Sequence, residues 1–189
     1  MEIKLTRQQK QIIKIAGMLI GMILVTWLTG LLGKATFIQR STGGAGVWAG
    51  VYASLGDVMV YLSVLVLGGP WGAAVSAVGA AVGDLILGST SRIIGSLIVK
   101  GGMAFFIAAF CRQCTDWKRC FAVAALAEAI MVLGYFIFDL LIMREFAVAA
   151  QAFLIDLAQG VVCGAIGAVL LRKIKPLEPD KLPRVRRTK

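Results

Sequence analysis

The 189-residue sequence contains no histidine. That absence excludes Ser-His nucleophilic sites, HExxH metalloprotease sites and haem held by histidine. The sequence also contains no GxxxxGK[ST] phosphate-binding loop, so any ATP that is used must be hydrolysed by another chain. Charged residues make up only 16% of the chain whereas hydrophobic ones make up 59%, a balance typical of an integral membrane protein.

Six apolar segments, separated by polar, glycine or proline residues, have lengths that suit membrane-spanning helices. They cover residues 12–32, 47–67, 70–87, 93–110, 121–142 and 148–171. The second and third meet at Gly68, Gly69 and Pro70, which favour a tight reversal. The sequence therefore predicts an all-α integral membrane protein with six transmembrane helices in a compact bundle over residues 1–171. Residues 172–189 are predicted to form a basic, disordered cytoplasmic tail.

The basic residues are distributed unevenly around these segments. Fifteen of the 20 lysines and arginines fall before or at the start of the first segment, between the fourth and fifth, or after the sixth, and only four fall in the loops of the opposite side. By the positive-inside rule, both termini are predicted to be cytoplasmic.

Six ionisable residues interrupt the apolar segments. They are Asp57, Asp84, Lys100, Glu128, Asp139 and Asp156. A charge at mid-bilayer costs a few kcal/mol, so we expect these side chains to face the bundle interior. At about 1.5 Å per residue, all but Glu128 lie in the outer half of their segments. Together with neighbours at helical spacing and outer-loop residues, they predict a substrate-binding pocket that opens to the outside. Its candidate residues are Arg40, Trp48, Asp57, Tyr61, Asp84, Arg92, Ser96, Lys100, Tyr135, Asp139, Asp156 and Gln159.

The same charges have a second interpretation, in which they neutralise one another as structural pairs. Asp84 and Lys100 are the leading pair, because a short loop joins their helices. Acidic residues nevertheless outnumber the single lysine within the segments. That surplus favours a neutral, zwitterionic or cationic organic solute over a polyanion.

Small residues form stripes that allow helices to approach closely. On the first segment, Ala16, Gly17 and Gly21 form a charge-free surface that either packs internally or contacts another membrane subunit. Two further stripes are predicted to pack inside the monomer: Gly72, Ser76 and Ala80, and Gly160, Gly164 and Ala168.

Three cysteines, Cys111, Cys114 and Cys120, cluster between the fourth and fifth segments. Zinc usually has four ligands, and no histidine is present to complete a set. We therefore predict reduced, unpaired thiols, no metal site and no cofactor.

Residues 56–110 carry four short motifs in order. These are Gly56-Asp57, Gly69-Pro70, Asp84-Leu85 and Ile98-Val99-Lys100-Gly101. In this combination the chain resembles the substrate-binding S components of energy-coupling factor (ECF) vitamin transporters, most closely the hydroxymethylpyrimidine, pyridoxine and riboflavin branch. Members usually carry AxxxA on the first span, where this sequence has Gly17 and Gly21. They also usually carry an aromatic-Ala-Pro sequence where this chain has Ser91-Arg92-Ile93.

The resemblance implies a subunit of an importer and not an enzyme. Such a subunit captures a vitamin or vitamin precursor from outside the cell. Pyridoxine-like or pyrimidine-like compounds are the leading expectation, and riboflavin and thiamine remain open. It delivers the solute together with a transmembrane coupling subunit and two cytosolic ATPases. The implied location is the bacterial plasma membrane, with several passes through the lipid bilayer, and no nucleic acid partner is implied.

Two other functions remain open from the residues alone. A small polytopic membrane enzyme acting on lipid or peptide could use the acidic residues with a metal, although they lie on separate segments without a DxxD motif. A structural or assembly protein without a ligand would have no outward pocket.

Overall fold

The computed structural model describes residues 6–34, 40–41, 48–49, 53–144 and 146–174. Within these ranges the chain forms six α-helices, one short antiparallel β-ribbon and two 3-10 turns. The helices are α1 (Arg7–Lys34), α2 (Gly56–Leu67), α3 (Gly69–Ile86), α4 (Ile93–Phe110), α5 (Trp117–Met143) and α6 (Phe146–Lys173), the strands are β1 (Arg40–Ser41) and β2 (Trp48–Ala49), and the turns are Thr90–Arg92 and Cys111–Gln113.

Four of these helices contain segments long and apolar enough to cross a membrane. The segments are Gln8–Leu32, Thr90–Gln113, Trp117–Ile142 and Ala149–Lys173. The protein is thus an all-helical membrane protein apart from its two-residue strands. Helix α2 is a shorter apolar helix, and a membrane crossing by α2 and α3 stays a prediction, as does the cytoplasmic location of both termini.

Helix boundaries match the predicted segments closely, with one exception. Helix α4 has the predicted bounds of 93 and 110, and α6 continues two residues beyond the predicted domain boundary at 171. The predicted tail falls almost wholly on 175–189, which lie outside the described residues. The start of the second segment is wrong, because it was placed at residue 47 and α2 begins at Gly56.

Side chains from distant helices explain the late start of α2. The Leu55 amide donates to Thr29 Oγ1 at 3.1 Å, and the Ser54 amide donates to Gln159 Oε1 at 2.6 Å. The Gly56 amide donates to Ser54 Oγ at 2.9 Å. Non-helical backbone is tolerated inside a membrane protein only where other groups satisfy its hydrogen bonds, and here they do.

The helices pack around α2, which contacts α1, α3, α4 and α6. A turn at Gly68, with φ of +82°, joins α2 to α3 at the predicted reversal. Helix α3 lies close to α1, because a Cβ at Gly79 would stand 2.6 Å from Met22 and one at Gly83 would stand 2.6 Å from Thr26. Glycine is therefore needed at both positions.

The two predicted internal stripes do pack inside the molecule. A Cβ at Gly72 would stand 2.7 Å from the Val64 backbone, and one at Gly164 would stand 3.1 Å from Glu128 Cγ. Ser76, Ala80 and Ala168 are buried.

The stripe on α1 is divided between two environments. Ala16 and Gly17 are exposed, and a Cβ at Gly17 would meet nothing within 4 Å. A Cβ at Gly21 would stand 3.0 Å from Met59 of α2, so Gly21 faces the bundle.

Candidate functional site

A buried group of polar side chains lies between the helices. We call it the polar cluster, and its members are Asp57, Asp84, Arg92, Ser96, Lys100, Tyr135, Asp139, Asp156 and Gln159. All are at most 9% exposed. The expectation that intramembrane charges face the interior is therefore confirmed, and Glu128, at 5% exposed, obeys it as well.

Lys100 of α4 forms an ion pair with Asp57 of α2. The second carboxylate oxygen of Asp57 accepts a hydrogen bond from Gln159 Nε2 of α6. Asp57 lies in the first turn of α2, where the helix dipole favours a negative charge. One carboxylate thus connects three helices.

Arg92 joins two carboxylates from the α5–α6 hairpin. Its Nε and Nη2 donate to the two oxygens of Asp139, a bidentate arrangement typical of strong arginine–carboxylate pairs. The same Nη2 lies 3.3 Å from Asp156 Oδ2. Because Arg92 closes the 3-10 turn before α4, these contacts fix that turn to α5 and α6.

Asp84, Ser96 and Tyr135 form the third part of the polar cluster. Ser96 Oγ donates to Asp84 and lies 2.7 Å from the Tyr135 hydroxyl. The Tyr135 ring also lies near both cations, with its centroid 4.9 Å from Arg92 Cζ and 5.2 Å from Lys100 Nζ, within the range of cation–π attraction. The predicted Asp84–Lys100 pair is wrong, because Lys100 pairs with Asp57.

The polar cluster surrounds a small cavity of about 30 Å³. Seven predicted site residues line it: Asp84, Arg92, Ser96, Lys100, Tyr135, Asp156 and Gln159. That volume has room only for water and is far below the roughly 300 Å³ at which drug-sized ligand pockets begin. In this conformation the protein's own ion pairs occupy the space between the helices.

The remaining predicted site residues lie elsewhere. Asp57 and Asp139 hold the two cations that line the cavity. Tyr61 belongs to a separate contact, where its hydroxyl donates toward Ala124 O at 3.2 Å and Glu128 Oε1 at 3.1 Å. Arg40 and Trp48 are in the β-ribbon, in which Ser41 pairs with Trp48 and Arg40 with Ala49, but their side chains lie outside the described parts.

Sequence reasoning missed the contribution of α1. Met22, Thr26, Ser54, Gly56 and Ala80 also line the cavity. The Thr26 hydroxyl is buried and has no hydrogen-bond partner among the described residues. Met22 and Thr26 are four residues apart, so helical spacing on an otherwise apolar segment was the signal that could have found them.

The cysteine cluster has no role in this cavity. Cys111 and Cys120 are buried, and the four cysteines, all within the described ranges, are unpaired. Burial, and then the neighbouring Cys120 thiol, raises the pKa of the Cys114 thiol to about 12. The Cys114 thiol is therefore protonated and poorly nucleophilic at neutral pH.

Comparisons with known proteins point to a transport family. A family model described as "ECF-type riboflavin transporter, S component" matches residues 35–176. A protein of Pyrococcus woesei described as "Uncharacterized protein in gap 3'region" is 28% identical over 130 residues, covering 67% of this chain and 86% of that protein. No solved structure gives a significant match.

Proposed function

Since the chain belongs to the family of ECF-type riboflavin transporter S components, we propose that it binds a vitamin or vitamin precursor in the cavity of the polar cluster and supplies it to an importer. The family consists of membrane substrate-binding subunits, which are transporter components and not enzymes. Five parts of this function are proposals: the identity of the solute, the partner subunits, the six membrane crossings, the cytoplasmic location of both termini and the location in a bacterial plasma membrane.

The observation that supports this proposal best is the convergence of polar side chains from α1, α3, α4, α5 and α6 on one cavity. A protein that used these residues only for internal pairing would gain little from leaving a void beside them, because voids cost packing energy. The unpartnered Thr26 hydroxyl faces the same cavity and is a hydrogen-bonding group for a ligand.

The charge balance of the polar cluster limits the solute. Its described side chains comprise four carboxyl groups and two cations. We therefore propose a neutral, zwitterionic or cationic heteroaromatic solute that donates hydrogen bonds. Pyridoxine-like and pyrimidine-like compounds meet this description. Riboflavin is a further candidate because the family description names it.

Solute binding must enlarge the cavity, which holds only about 30 Å³. The contact best placed to open is that of Arg92, because it lies in the turn before α4 and next to strand β2. We propose that the solute replaces one of the two carboxylate contacts of Arg92. New hydrogen bonds between solute and protein then offset part of the free energy needed to open the cavity.

Delivery requires partners, because the chain has no phosphate-binding loop. We propose that a transmembrane coupling subunit with two cytosolic ATPases fills this role and contacts α1 at Ala16, Gly17 and the adjoining Gly21. Ala16 and Gly17 are accessible for such a contact, whereas Gly21 already touches Met59.

Thermal unfolding of the detergent-solubilised protein tests the proposal. We would compare riboflavin, pyridoxine, hydroxymethylpyrimidine and thiamine, since a ligand that binds only the folded state raises the melting temperature. A shift with one of them, reduced in the Ser96→Ala variant, supports the proposal. No shift with any of them, together with metal-dependent turnover of a lipid or peptide, would support the membrane-enzyme alternative instead.

A further inference from the structure

A long apolar groove lies between α5 and α6, and it shares no lining residue with the cavity of the polar cluster. Its volume is about 540 Å³. Small residues of both helices line it, namely Ala125 and Ala129 of α5 and Gly160 and Gly164 of α6. The remaining lining residues are Phe121, Glu128, Val132, Leu133, Phe153, Leu157, Val161 and Ala165. Glu128 is the one ionisable group among them and is only 5% exposed, so the groove surface is hydrocarbon.

The groove follows the axes of the two helices. Its lining runs from Phe121 to Leu133 on α5 and from Phe153 to Ala165 on α6. Twelve residues of helix correspond to about 18 Å. An elongated apolar surface of this length suits an extended acyl chain that lies parallel to the helices.

Two cations lie beyond one end of this groove. Lys118 is one helical turn before Phe121, and Arg172 is two turns after Ala165, so both continue the faces that line the groove. Arg172 Nη1 donates to Thr115 O at 3.0 Å, which places its guanidinium beside the start of α5. Both side chains are exposed. The nearby Arg119 faces Asp116 at 3.8 Å and so is partly neutralised.

An aromatic residue marks the same end. The Trp117 ring is 6.0 Å from the Phe121 ring, and Trp117 is about half exposed. Tryptophan is enriched where membrane proteins meet the headgroup region. A tryptophan at this end favours a position of the two cations at the level of the lipid headgroups.

We propose that the α5–α6 groove is a binding site for one anionic phospholipid. The phosphate lies between Lys118 and Arg172, and one acyl chain lies along the groove from Phe121 towards Leu133. Basic pockets between transmembrane helices recognise anionic headgroups in this way, and each nearby cation contributes about 1 kcal/mol. Charge complementarity selects the headgroup, and the groove shape holds the chain.

Native mass spectrometry of the detergent-solubilised protein tests this site with dioleoyl phosphatidylglycerol and dioleoyl phosphatidylcholine. Wild type is expected to retain one phosphatidylglycerol preferentially. The double variant Lys118→Gln/Arg172→Gln should bind it more weakly, by about fivefold for each charge removed, and should lose the preference over phosphatidylcholine. The matched control, Lys10→Gln/Lys14→Gln, removes two exposed cations from α1 and should bind like wild type.

A second pair of variants tests the groove itself. Ala125→Leu fills it from an exposed position and should displace the bound chain, whereas Ala74→Leu adds the same volume to an exposed position on α3. Equal losses in the two double variants would show that the effect is one of net charge, and this result would overturn the proposal. Unchanged binding in Ala125→Leu would overturn it as well.

Discussion

At the scale of single residues, Arg92 is the side chain whose contacts connect the most parts of the polar cluster. It makes two hydrogen bonds to Asp139 and one to Asp156 inside the bundle. Removing one partner of a buried ion pair leaves an uncompensated charge and costs about 3–5 kcal/mol. The two acidic partners are not equivalent, because Asp139 is bidentate and Asp156 makes a single longer contact.

We therefore expect Asp139→Asn to lower the melting temperature more than Asp156→Asn. Loss of Asp139 removes the bidentate contact and leaves Arg92 with only the longer contact to Asp156, whereas loss of Asp156 removes one charged hydrogen bond of about 1.5–3 kcal/mol. Thermal unfolding in detergent measures both. Equal losses, or a larger loss in Asp156→Asn, would contradict the assignment.

The two buried tyrosines give a second prediction at this scale. Tyr61→Phe removes a hydroxyl that contacts Ala124 and Glu128, so it should cost about 1–3 kcal/mol of stability without changing solute affinity. Tyr135→Phe removes a hydroxyl beside the cavity and should weaken solute binding. Titration of the best ligand against both variants separates the two roles. A weaker solute affinity in Tyr61→Phe would show that Tyr61 belongs to the binding site.

At the scale of helices, the sequence predicted α4 to the residue and misplaced the start of α2. Polar residues flank α4 at both ends, so the composition of the sequence was sufficient to predict where the helix begins and ends. The start of α2 depends on Thr29 and Gln159, which are far away in the chain and provide hydrogen bonds only after α1 and α6 have packed. The inward direction of the charges could be predicted from the cost of exposing them to lipid. The identity of their partners could not be predicted, because the choice of Asp57 over Asp84 for Lys100 depends on how the helices are rotated about their axes.

The interface between α1 and α3 gives a prediction at this scale. Gly79→Leu should destabilise the protein strongly, because the added side chain must displace Met22. Gly17→Leu is the matched control, since its surroundings are open, and it should fold normally. If the Gly17 side of α1 contacts the coupling subunit, Gly17→Leu should bind solute and yet abolish uptake by cells. Loss of folding in Gly17→Leu would instead identify it as an internal packing residue.

At the scale of the whole molecule, the charges of the described side chains fall into two populations. The pairs of the polar cluster are buried, whereas Lys118, Arg172 and the other cations at that end of the bundle are exposed. Salt screens exposed charges strongly and buried pairs weakly.

Ionic strength should therefore separate the two populations. From about 0.01 M to 1 M salt, where the screening length falls from roughly 30 Å to 3 Å, phosphatidylglycerol binding should weaken clearly. The lipid-free melting temperature should change little over the same range. Parallel lipid titrations and unfolding scans measure both, and a melting temperature that falls steeply with salt would show that the Arg92 and Lys100 pairs are hydrated.

The hydrogen bond between Leu55 and Thr29 has a mechanical consequence. Thr29 sits on α1, and Leu55 stands two residues ahead of the carboxylate that neutralises Lys100. A force that shifts α1 would be transmitted through this hydrogen bond to the start of α2, which carries that carboxylate. A partner protein that presses on the outer side of α1 would thereby lower the affinity of the protein for its solute.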